Sequence, residues 1–485
     1  MWLGTVIVIV LFPAFVFFIV IKPSFSSKRR KPPSPPKLPI FGNLLQLGVL
    51  PHRTLKTYAD TYGPIMLLHL GSVPTLVVSS SDVAKEIFES HDIAFGDRAS
   101  TAIVRRLLYN HKDLSLAPYS SYWRRIRTIF VTKLLSSSKV KSFSHVREEE
   151  AAIMISKIEA AGSSEVNLSE IFSAFTMDLV CRVAFGKQHE GDKKKTLKAI
   201  DEFSQLLGVI DVGEFIPWLA WIKYVNGLHS RVEASFKALD SIMDSILQEH
   251  IMNPPKSDDN KDLVDILLES FNEEGSVDEN AIKGNILDVF VGGTETAKTV
   301  MEWLMVELLR NGEAMKKVKD EIREVIGDRK KVTEDDLTGL KYTKAAIKEA
   351  MRMHAPVPIS PLRVSRERVE LRGYEIEEKT LLMVNLWAIG RDPTVWEAPE
   401  EFRPERFIES GIDYLGNDYE YLPFGSGRRR CPGIAFAASA MEIAMATLLH
   451  KFDFVVPPGK DLDDKEVGGL IVYPNSLFVC ATPAF

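Results

Sequence analysis

The spacing of apolar side chains changes along the chain. Two short apolar runs, residues 65–70 and 75–78, predict a β-hairpin with Gly71 and Pro74 in its turn. Beyond them, apolar residues recur at helical spacing in a series of segments, and two later pieces resemble strands (369–376 and 381–386). The helical segments are residues 82–90, 122–133, 145–160, 168–185, 197–207, 231–251, 281–311, 313–326, 342–353 and 432–450. The pattern predicts a mainly α fold with a small β region, in one large domain over residues 40–485.

The first residues have a different pattern. Residues 1–21 carry no charged side chain and are long enough to cross a bilayer as one helix. A cleaved signal peptide would have a basic start and a small-residue cleavage site, and neither is evident. The basic residues follow the apolar run, which predicts a single-pass anchor with the body of the protein in the cytosol. Residues 22–39 are basic and rich in proline, and they predict a stiff linker.

Composition narrows the possible functions. The 485 residues are 45% hydrophobic and 26% charged, as in a folded globular protein. A net charge of −6 does not favour nucleic-acid binding. The cysteines are Cys181, Cys431 and Cys480, too few and too far apart for a disulfide framework, so we expect a reducing compartment.

The surroundings of Cys431 set it apart from the other two cysteines. A lone cysteine is more often a small buried apolar residue than a ligand. Cys431, however, follows three arginines and is flanked by glycines on both sides. Pro432 is suited to the first position of a helix, which predicts that Cys431 lies at a helix N-terminus. Backbone N–H groups and nearby arginines would stabilise a thiolate there.

A second candidate site lies within the longest helical segment. Gly292 and Gly293 are adjacent glycines in mid-helix, where each costs about 1 kcal/mol relative to alanine. A local loosening of the helix would make room for a small ligand, and the Glu295 carboxylate and Thr296 hydroxyl could relay protons to it. A close helix crossing at the glycines, with Glu295 in a salt bridge, explains the same residues. The motif alone leaves both readings open.

Both segments resemble motifs of the cytochrome P450 family. Residues 424–433 match its signature Phe-x-x-Gly-x-Arg-x-Cys-x-Gly at all five specified positions. Residues 292–296 are similar to its oxygen-binding motif, although Ala297 replaces the final Thr or Ser. The resemblance extends over the body from Pro39 onward, and it is strongest to the large plant microsomal group. It implies the P450 fold, haem b with a cysteine thiolate ligand, and residence in the endoplasmic reticulum membrane.

The resemblance also implies residue roles. Cys431 would bind the iron, Glu295 and Thr296 would handle protons, and three further residues, Glu349, Arg352 and Arg406, would form a buried structural network. The cofactor-binding residues would be Trp123, Arg127, Gly292, Gly293, Arg363, Phe424, Arg429 and Gly433, with Trp123, Arg127, Arg363 and Arg429 at the propionates. The substrate pocket would be lined by parts of residues 100–115, 203–212, 288–296, 358–362 and 470–476.

The activity implied is oxidation of a small lipophilic metabolite, of the terpenoid, alkaloid or phenylpropanoid class, by a monooxygenase. The chain has no Gly-x-Gly-x-x-Gly dinucleotide site, so electrons would come from another protein. The resemblance implies that this partner is NADPH–cytochrome P450 reductase. A basic face of Arg124, Arg125, Arg428 and Arg430 would dock it. Dehydration, isomerisation or oxidative coupling without net oxygen insertion is an alternative, and a non-catalytic membrane-tethered haem protein is another. The pair Glu295 and Thr296 argues against the non-catalytic protein and against those reactions that dispense with O₂ activation.

Overall fold

The computed structural model describes residues 30–162, 165–186, 193–255, 261–272, 278–462 and 465–484. The anchor predicted over residues 1–21 lies outside these ranges, as do residues 22–29 of the predicted linker. By length and composition alone, one described helix, Ile434–Lys451, could cross a membrane, but half of it is buried inside the protein.

Helices dominate the described residues. The longer ones are Pro51–Tyr62, Ser81–Ser90, Ser121–Ile129, Ser144–Ala161, Leu168–Phe185, Lys193–Leu207, Leu228–Met252, Leu263–Asn272, Glu279–Arg310, Gly312–Ile326, Lys341–Met353 and Ile434–Lys451. Short helices are Ala102–Leu107, Ser137–Ser142, Val212–Phe215, Ile222–Val225, Leu386–Ile389 and Glu405–Glu409, and a π-helical turn, Phe130–Leu134, extends the helix that starts at Ser121. The mainly α fold class with a small β region is confirmed.

The strands form small sheets beside the helices. They are β1 (Ile65–Leu70), β2 (Val73–Val78), β3 (Asp97–Arg98), β4 (Glu165–Asn167), β5 (Arg363–Val364), β6 (Val369–Leu371), β7 (Tyr374–Ile376), β8 (Leu381–Val384), β9 (Phe452–Val455), β10 (Glu466–Val467), β11 (Tyr473–Pro474) and β12 (Phe478–Pro483). The largest sheet has the order β1-β2-β8-β5-β3, and a second has the order β4-β12-β9. β2 and β8 run parallel, which brings strands far apart in sequence side by side.

The helix Glu279–Arg310, called the long helix below, is the centre of the core. It packs against Leu168–Phe185, Lys341–Met353 and Ile434–Lys451, and most of its side chains are buried on all sides. A helix that is apolar around most of its circumference needs neighbours on every face, which the surrounding helices provide. Threonines 294, 296 and 299 each donate a hydrogen bond to the carbonyl four residues earlier. The helix is continuous through Gly292 and Gly293, so the predicted loosening is not an interruption of the helix.

Three boundary predictions were wrong for identifiable reasons. Pro74 lies within β2 opposite His69, not in the turn. The partner strand β8 pairs only from Thr75 onward, so the missing N–H of Pro74 removes no bond on that side. The strand-like piece 369–376 is a hairpin, β6 and β7, that turns at Arg372 and Gly373. The last helix begins at Ile434, so Pro432 is not its first residue.

The second half of the predicted linker lies on the domain surface. Pro32 and Pro35 are buried. The carbonyl of Pro33 accepts the Leu67 N–H of β1 at 2.8 Å, and the carbonyl of Arg30 accepts the Glu375 N–H of β7 at 2.9 Å. Proline-rich chain is extended and offers free carbonyls, so it can bond to a strand edge. We call residues 30–36 the docked segment.

Candidate active site

The segment of residues 424–433, called the cysteine loop below, is shaped by two glycines with positive φ. Gly425 has φ +69° and Gly427 has φ +68°, a region that residues with a Cβ rarely adopt. A Cβ on Gly427 would also lie 2.7 Å from a carboxylate oxygen of Asp92. The loop closes where the Cys431 N–H donates to the Phe424 carbonyl at 3.0 Å. The glycines therefore fix the position of Cys431 relative to Phe424.

Cys431 lies just before the last helix, with part of its surface accessible. Its Sγ accepts the N–H of Gly433, the N-cap residue, at 3.4 Å. Burial raises the pKa of the Cys431 thiol, while the Gly433 N–H, Arg127 and Arg430 act in the opposite direction. A ligand that is protonated when free and surrounded by stabilising dipoles and cations loses its proton on binding a metal. The chemistry of the site therefore suits a metal–thiolate bond.

Trp123 and Arg127 are positioned by the helix Ser121–Ile129. The Ser120 hydroxyl caps this helix by accepting the Trp123 N–H at 3.2 Å. Trp123 is buried, and its Nε1 donates to the Leu114 carbonyl at 2.9 Å. Arg127 lies one turn further along; burial lowers its pKa, and the Cys431 charge acts in the opposite direction. The helix thus directs an indole and a guanidinium to the same region as the cysteine.

Arg429 and Arg363 lie in the same region. Arg429 stacks on the Trp123 ring at 4.2 Å and donates to the carbonyls of Gly96 and Ala117, at 3.0 and 2.6 Å. Within the described chain, its Nη1 is buried and has no hydrogen-bond partner. Arg363 on β5 pairs with Asp92 at 2.9 Å and donates to Ser426 of the cysteine loop at 3.3 Å.

Sequence reasoning missed Arg98, which completes an arginine cluster of Arg98, Arg127, Arg363 and Arg429. Arg98 on β3 pairs in register with Arg363 and donates to the carbonyls of Ser115 and Pro361. It lies deep in the protein yet keeps accessible surface, as a residue does beside an internal space. Strand β3 has two residues, too few to show a period, so the only signal was a charged pair that follows the apolar Ala94 and Phe95 after Gly96.

The electrostatics of the arginine cluster are those of an anion site. Burial lowers the pKa of Arg98 well below its usual value, and Arg363 and Arg429 lower it further. Burial, followed by Arg363, lowers the pKa of Arg429 to about 10. Buried like charges are costly unless an anion neutralises them. A ligand carrying carboxylates, with one oxygen available to Arg429 Nη1, would supply the missing charge.

Gly292 and Gly293 differ sharply in their surroundings. Apart from its own helix, no heavy atom of the described chain lies within 4 Å of where a Cβ of Gly292 would be. A Cβ on Gly293 would lie 2.8 Å from Cγ2 of Val180. Gly293 therefore permits a close helix crossing, whereas Gly292 borders open space in the middle of the molecule. Of the two explanations that the motif left open, room for a small ligand applies to Gly292 and a close helix crossing applies to Gly293.

Glu295 and Thr296 lie one residue apart but have different partners. The Thr296 Oγ1 donates to the Gly292 carbonyl at 2.7 Å. Glu295 is buried, and its Oε2 lies 3.5 Å from Lys298 Nζ. Burial raises the pKa of Glu295, while Lys298 acts in the opposite direction. An acid with its pKa shifted toward neutrality can both release and regain a proton.

A cavity of about 190 Å³ opens beside the cluster. Four of the five segments expected around a substrate contribute to it, and residues 288–296 do not. Apolar side chains form most of the wall, among them Ile103, Leu206, Ile359 and Leu470. Unexpected contributions come from residues 47–52, Leu70 and Met383. A wall of this kind suits a lipophilic ligand.

Glu349, Arg352 and Arg406 form one buried network. Arg352 makes two hydrogen bonds to Glu349, at 2.7 and 2.9 Å, and Arg406 makes a third at 2.9 Å. Arg352 also donates to the carbonyls of Gly390 and Pro399, at 2.6 and 2.8 Å. These bonds connect the helix Lys341–Met353 to the irregular chain after residue 389.

Comparison with known proteins identifies the family. The family model of Cytochrome P450 matches residues 32–481. The chain belongs to the cytochrome P450 family. A Prunus mume protein, Cytochrome P450 736A117, is 46% identical over 478 residues, covering 94% of this chain and 92% of the relative. Norfluorocurarine oxidase of Strychnos sp is 42% identical, with 92% and 91% covered. Psoralen synthase of Pastinaca sativa is 43% identical, with 90% and 92% covered.

Solved structures agree. A zebra fish cytochrome P450 with abiraterone superimposes with a TM-score of 0.77 at 25% identity, covering 90% of this chain and all of that one. P450 enzymes are haem-thiolate oxidoreductases, and haem held by a cysteine thiolate is therefore the cofactor of this chain. The residues present fit that group: a cysteine, an open space at Gly292, and an arginine cluster in which, within the described chain, Arg429 Nη1 is buried without a partner.

Proposed function

We propose that this P450 inserts one oxygen atom from O₂ into a small lipophilic metabolite, with Cys431 as the haem ligand. The observation that carries the proposal is Cys431 Sγ at a helix start, beside Arg127 and the Gly433 N–H. The bound haem would supply oxygen activation, which a thiolate ligand favours. Phe424 would hold the loop, since the Cys431 N–H donates to its carbonyl.

We assign the haem propionates to the arginine cluster. Arg429 Nη1 is available there, and Arg98 and Arg127 have lowered pKa values that a carboxylate would restore. Trp123 and Arg363 support the cluster differently: Trp123 stacks under Arg429, and Arg363 fixes the cysteine loop through Ser426. A direct bond from either to a propionate would require it to exchange a partner it already holds.

Glu295 and Thr296 are the proton-handling pair in this proposal. The Thr296 hydroxyl, bonded to the Gly292 carbonyl, lies next to the space that Gly292 leaves open. Glu295 would pass protons toward that space, and burial, which raises its pKa, favours the protonated form. The missing hydroxyl at Ala297 removes only a secondary hydrogen bond.

The cavity supports the proposed substrate class. Its apolar wall supports a terpenoid, alkaloid or phenylpropanoid rather than a charged metabolite. Two relatives are named for plant metabolites, norfluorocurarine and psoralen. The apolar residues 1–21 and the basic residues after them support an anchor in the endoplasmic reticulum membrane with the catalytic domain in the cytosol. NADPH–cytochrome P450 reductase would supply the electrons.

The direct test is the absorption spectrum of the reduced protein with carbon monoxide. Cys431→Ser should lose the Soret maximum of thiolate ligation. Cys480→Ser, a matched control at another partly accessible cysteine, should keep it. A thiolate spectrum that survives in Cys431→Ser would refute the assignment. Products formed from a panel of plant metabolites, with the reductase and NADPH present, would then identify the substrate.

A further inference from the structure

Lys298 is a largely buried lysine on the long helix, one turn beyond Glu295. Its side chain is 13% exposed, and its Nζ lies 3.5 Å from Oε2 of Glu295, which is 4% exposed. Lysine is almost never buried unless it is paired, because removing an ammonium from water is costly. Neither sequence motif includes Lys298, so its burial beside the proton-handling acid requires an explanation.

A second carboxyl group lies on the other side of Lys298. Glu302 follows it by four residues on the same helix face and is 1% exposed. Within the described chain, its Oε2 is buried and has no hydrogen-bond partner, while a hydrogen bond with Ser169 satisfies part of the group. Burial raises the pKa of Glu302 to about 7, and Lys298 acts in the opposite direction. One ammonium thus lies between two buried acids.

Two further groups face Lys298 from neighbouring elements. The Tyr473 ring on β11 lies 5.1 Å from Nζ, and its hydroxyl donates to Asp201 Oδ1 at 3.1 Å. Asp201 belongs to the helix Lys193–Leu207, and its charge raises the pKa of Glu295. The charged and titratable groups that act on Glu295 are therefore Lys298, Asp201, Glu302 and, through Lys298, Tyr473.

We propose that Lys298 is a positioning residue that holds the Glu295 carboxylate after each proton transfer and thereby controls when Glu295 carries a proton. The inference rests on the proposed role of Glu295. In each transfer, the Glu295 O–H bond breaks and its proton goes to a water in the open space. The carboxylate that remains is paired with the Lys298 ammonium until a proton from solvent restores the acid. Lys298 itself stays protonated: burial acts to lower its pKa, but Glu302 and Glu295 outweigh burial and raise it.

The test compares three full-length variants. Lys298→Met keeps the side-chain length and removes the charge, Lys298→Arg keeps the charge, and Lys298→Gln is a second neutral variant should the methionine unfold the protein. Lys283→Met is the matched control, because Lys283 is also a buried lysine of the long helix, held by Asp240 and Asp244 at 3.0 and 2.6 Å. Its partners lie on the more exposed helix Leu228–Met252.

The first measurement is NADPH oxidation and hydrogen peroxide release with the flavoprotein reductase, without substrate, from about pH 6 to about pH 9. Without its cation, Glu295 should remain protonated to higher pH. The alkaline decline in rate should therefore move upward by about one pH unit or more in Lys298→Met, and stay in place in Lys298→Arg and Lys283→Met. An unmoved decline in Lys298→Met, or an equal shift in Lys283→Met, would overturn the inference.

The second measurement is the melting temperature of the haem-loaded protein across the same pH range. In Lys298→Met, Glu295 has no cation beside it when it ionises at rising pH. The melting temperature of Lys298→Met should therefore fall further below that of the unmodified chain as pH rises. The deficit of Lys283→Met should stay constant. Glu295→Gln separates the two proposals. Normal turnover in Glu295→Gln would show that the role proposed for Glu295 is wrong. If Glu295→Gln loses turnover but the pH profile of Lys298→Met does not move, only the role proposed for Lys298 is refuted.

Discussion

Nε of Arg406 donates a hydrogen bond to Oε1 of Glu349 at 2.9 Å, across 57 residues of sequence. The same oxygen accepts the Arg403 N–H at 2.8 Å. Glu349 therefore pairs with the guanidinium of Arg352 on its own helix and with that of Arg406 beyond it.

Glu349→Gln should destabilise the protein strongly. The substitution removes the charge and leaves Arg352, which is 1% exposed, without its counter-ion. Removing one member of a buried ion pair costs about 3–5 kcal/mol. Denaturant unfolding would measure the loss. Lys56→Gln removes the more exposed pair between Lys56 and Asp60 and should cost about 1 kcal/mol or less. Equal effects from the two substitutions would contradict the structural role of Glu349.

Gly293→Ala should disturb the long helix, whereas Gly292→Ala should not destabilise it. The new methyl group at position 293 would lie 2.8 Å from Cγ2 of Val180, so one helix must shift. At position 292 the methyl group meets open space, and alanine is favoured over glycine by about 1 kcal/mol in a helix. Thermal unfolding of the two variants would show the difference. Adding Val180→Ala to Gly293→Ala should restore the melting temperature, because it removes the methyl group that the new side chain contacts. A double variant as unstable as Gly293→Ala alone would refute the clash.

Glu466 should stabilise the folded protein at neutral pH and lose this effect in acid. His52 and Arg53 bond to it at 3.1 and 2.8 Å, and together they lower its pKa to about 2 against the opposing effect of burial. Because the pKa of Glu466 is lower in the folded protein than in the unfolded chain, the ionised carboxylate stabilises the folded protein at higher pH. The contribution, on the order of 3 kcal/mol, is present above about pH 4.5 and is lost as pH falls toward 2.

Glu466→Gln should therefore unfold at lower denaturant concentration at neutral pH, with the difference shrinking in acid. Glu378→Gln, at an exposed acid near β7, is the control. It should change neither the denaturant concentration at which the protein unfolds nor the dependence of that concentration on pH. A difference between Glu466→Gln and the unmodified chain that persists unchanged at about pH 2.5 would contradict the assigned shift.

Arg124→Glu should slow reduction by the flavoprotein reductase, most at low salt. Arg124 is exposed, whereas Arg125 donates to the Ser270 carbonyl at 2.7 Å and Arg428 pairs with Asp92 at 2.7 Å. Arg124 lies 5.8 Å from the Tyr119 ring, and its charge reversal tests docking without breaking either of those two contacts. Stopped-flow reduction at two salt concentrations would measure it, since salt screens exposed charges. Lys237→Glu, on the helix Leu228–Met252, should leave the rate unchanged. Equal rates for both variants at low salt would refute the docking face.

The sequence predicted the fold well where a local pattern determined it. The helix Leu168–Phe185 matches its predicted limits, and the long helix begins and ends within two residues of them. The last helix was misplaced because Pro432 suited its first turn, while the chain uses Pro432 and Gly433 to turn before Ile434. The helix starts where the loop has finished placing Cys431, and local propensity cannot determine that point.

The candidate site was predictable only where residues are contiguous. Cys431, Arg429 and Phe424 lie within one motif, so their proximity was expected. Arg98 and Lys298 could not be found in this way. Arg98 reaches the cluster through the pairing of β3 with β5, 265 positions away. Lys298 looks like an ordinary helix-surface lysine until Asp201 and Tyr473 are packed over it.

The docked segment has a mechanical consequence. Its backbone is bonded to β1 and β7, and Lys31 pairs with Glu377 at 2.8 Å. A pulling force transmitted from residues 22–29 would therefore enter the fold through the edges of two sheets. For protein production, a truncation after residue 29 keeps this attachment, whereas one after residue 39 removes it and leaves the Leu67 N–H without its acceptor.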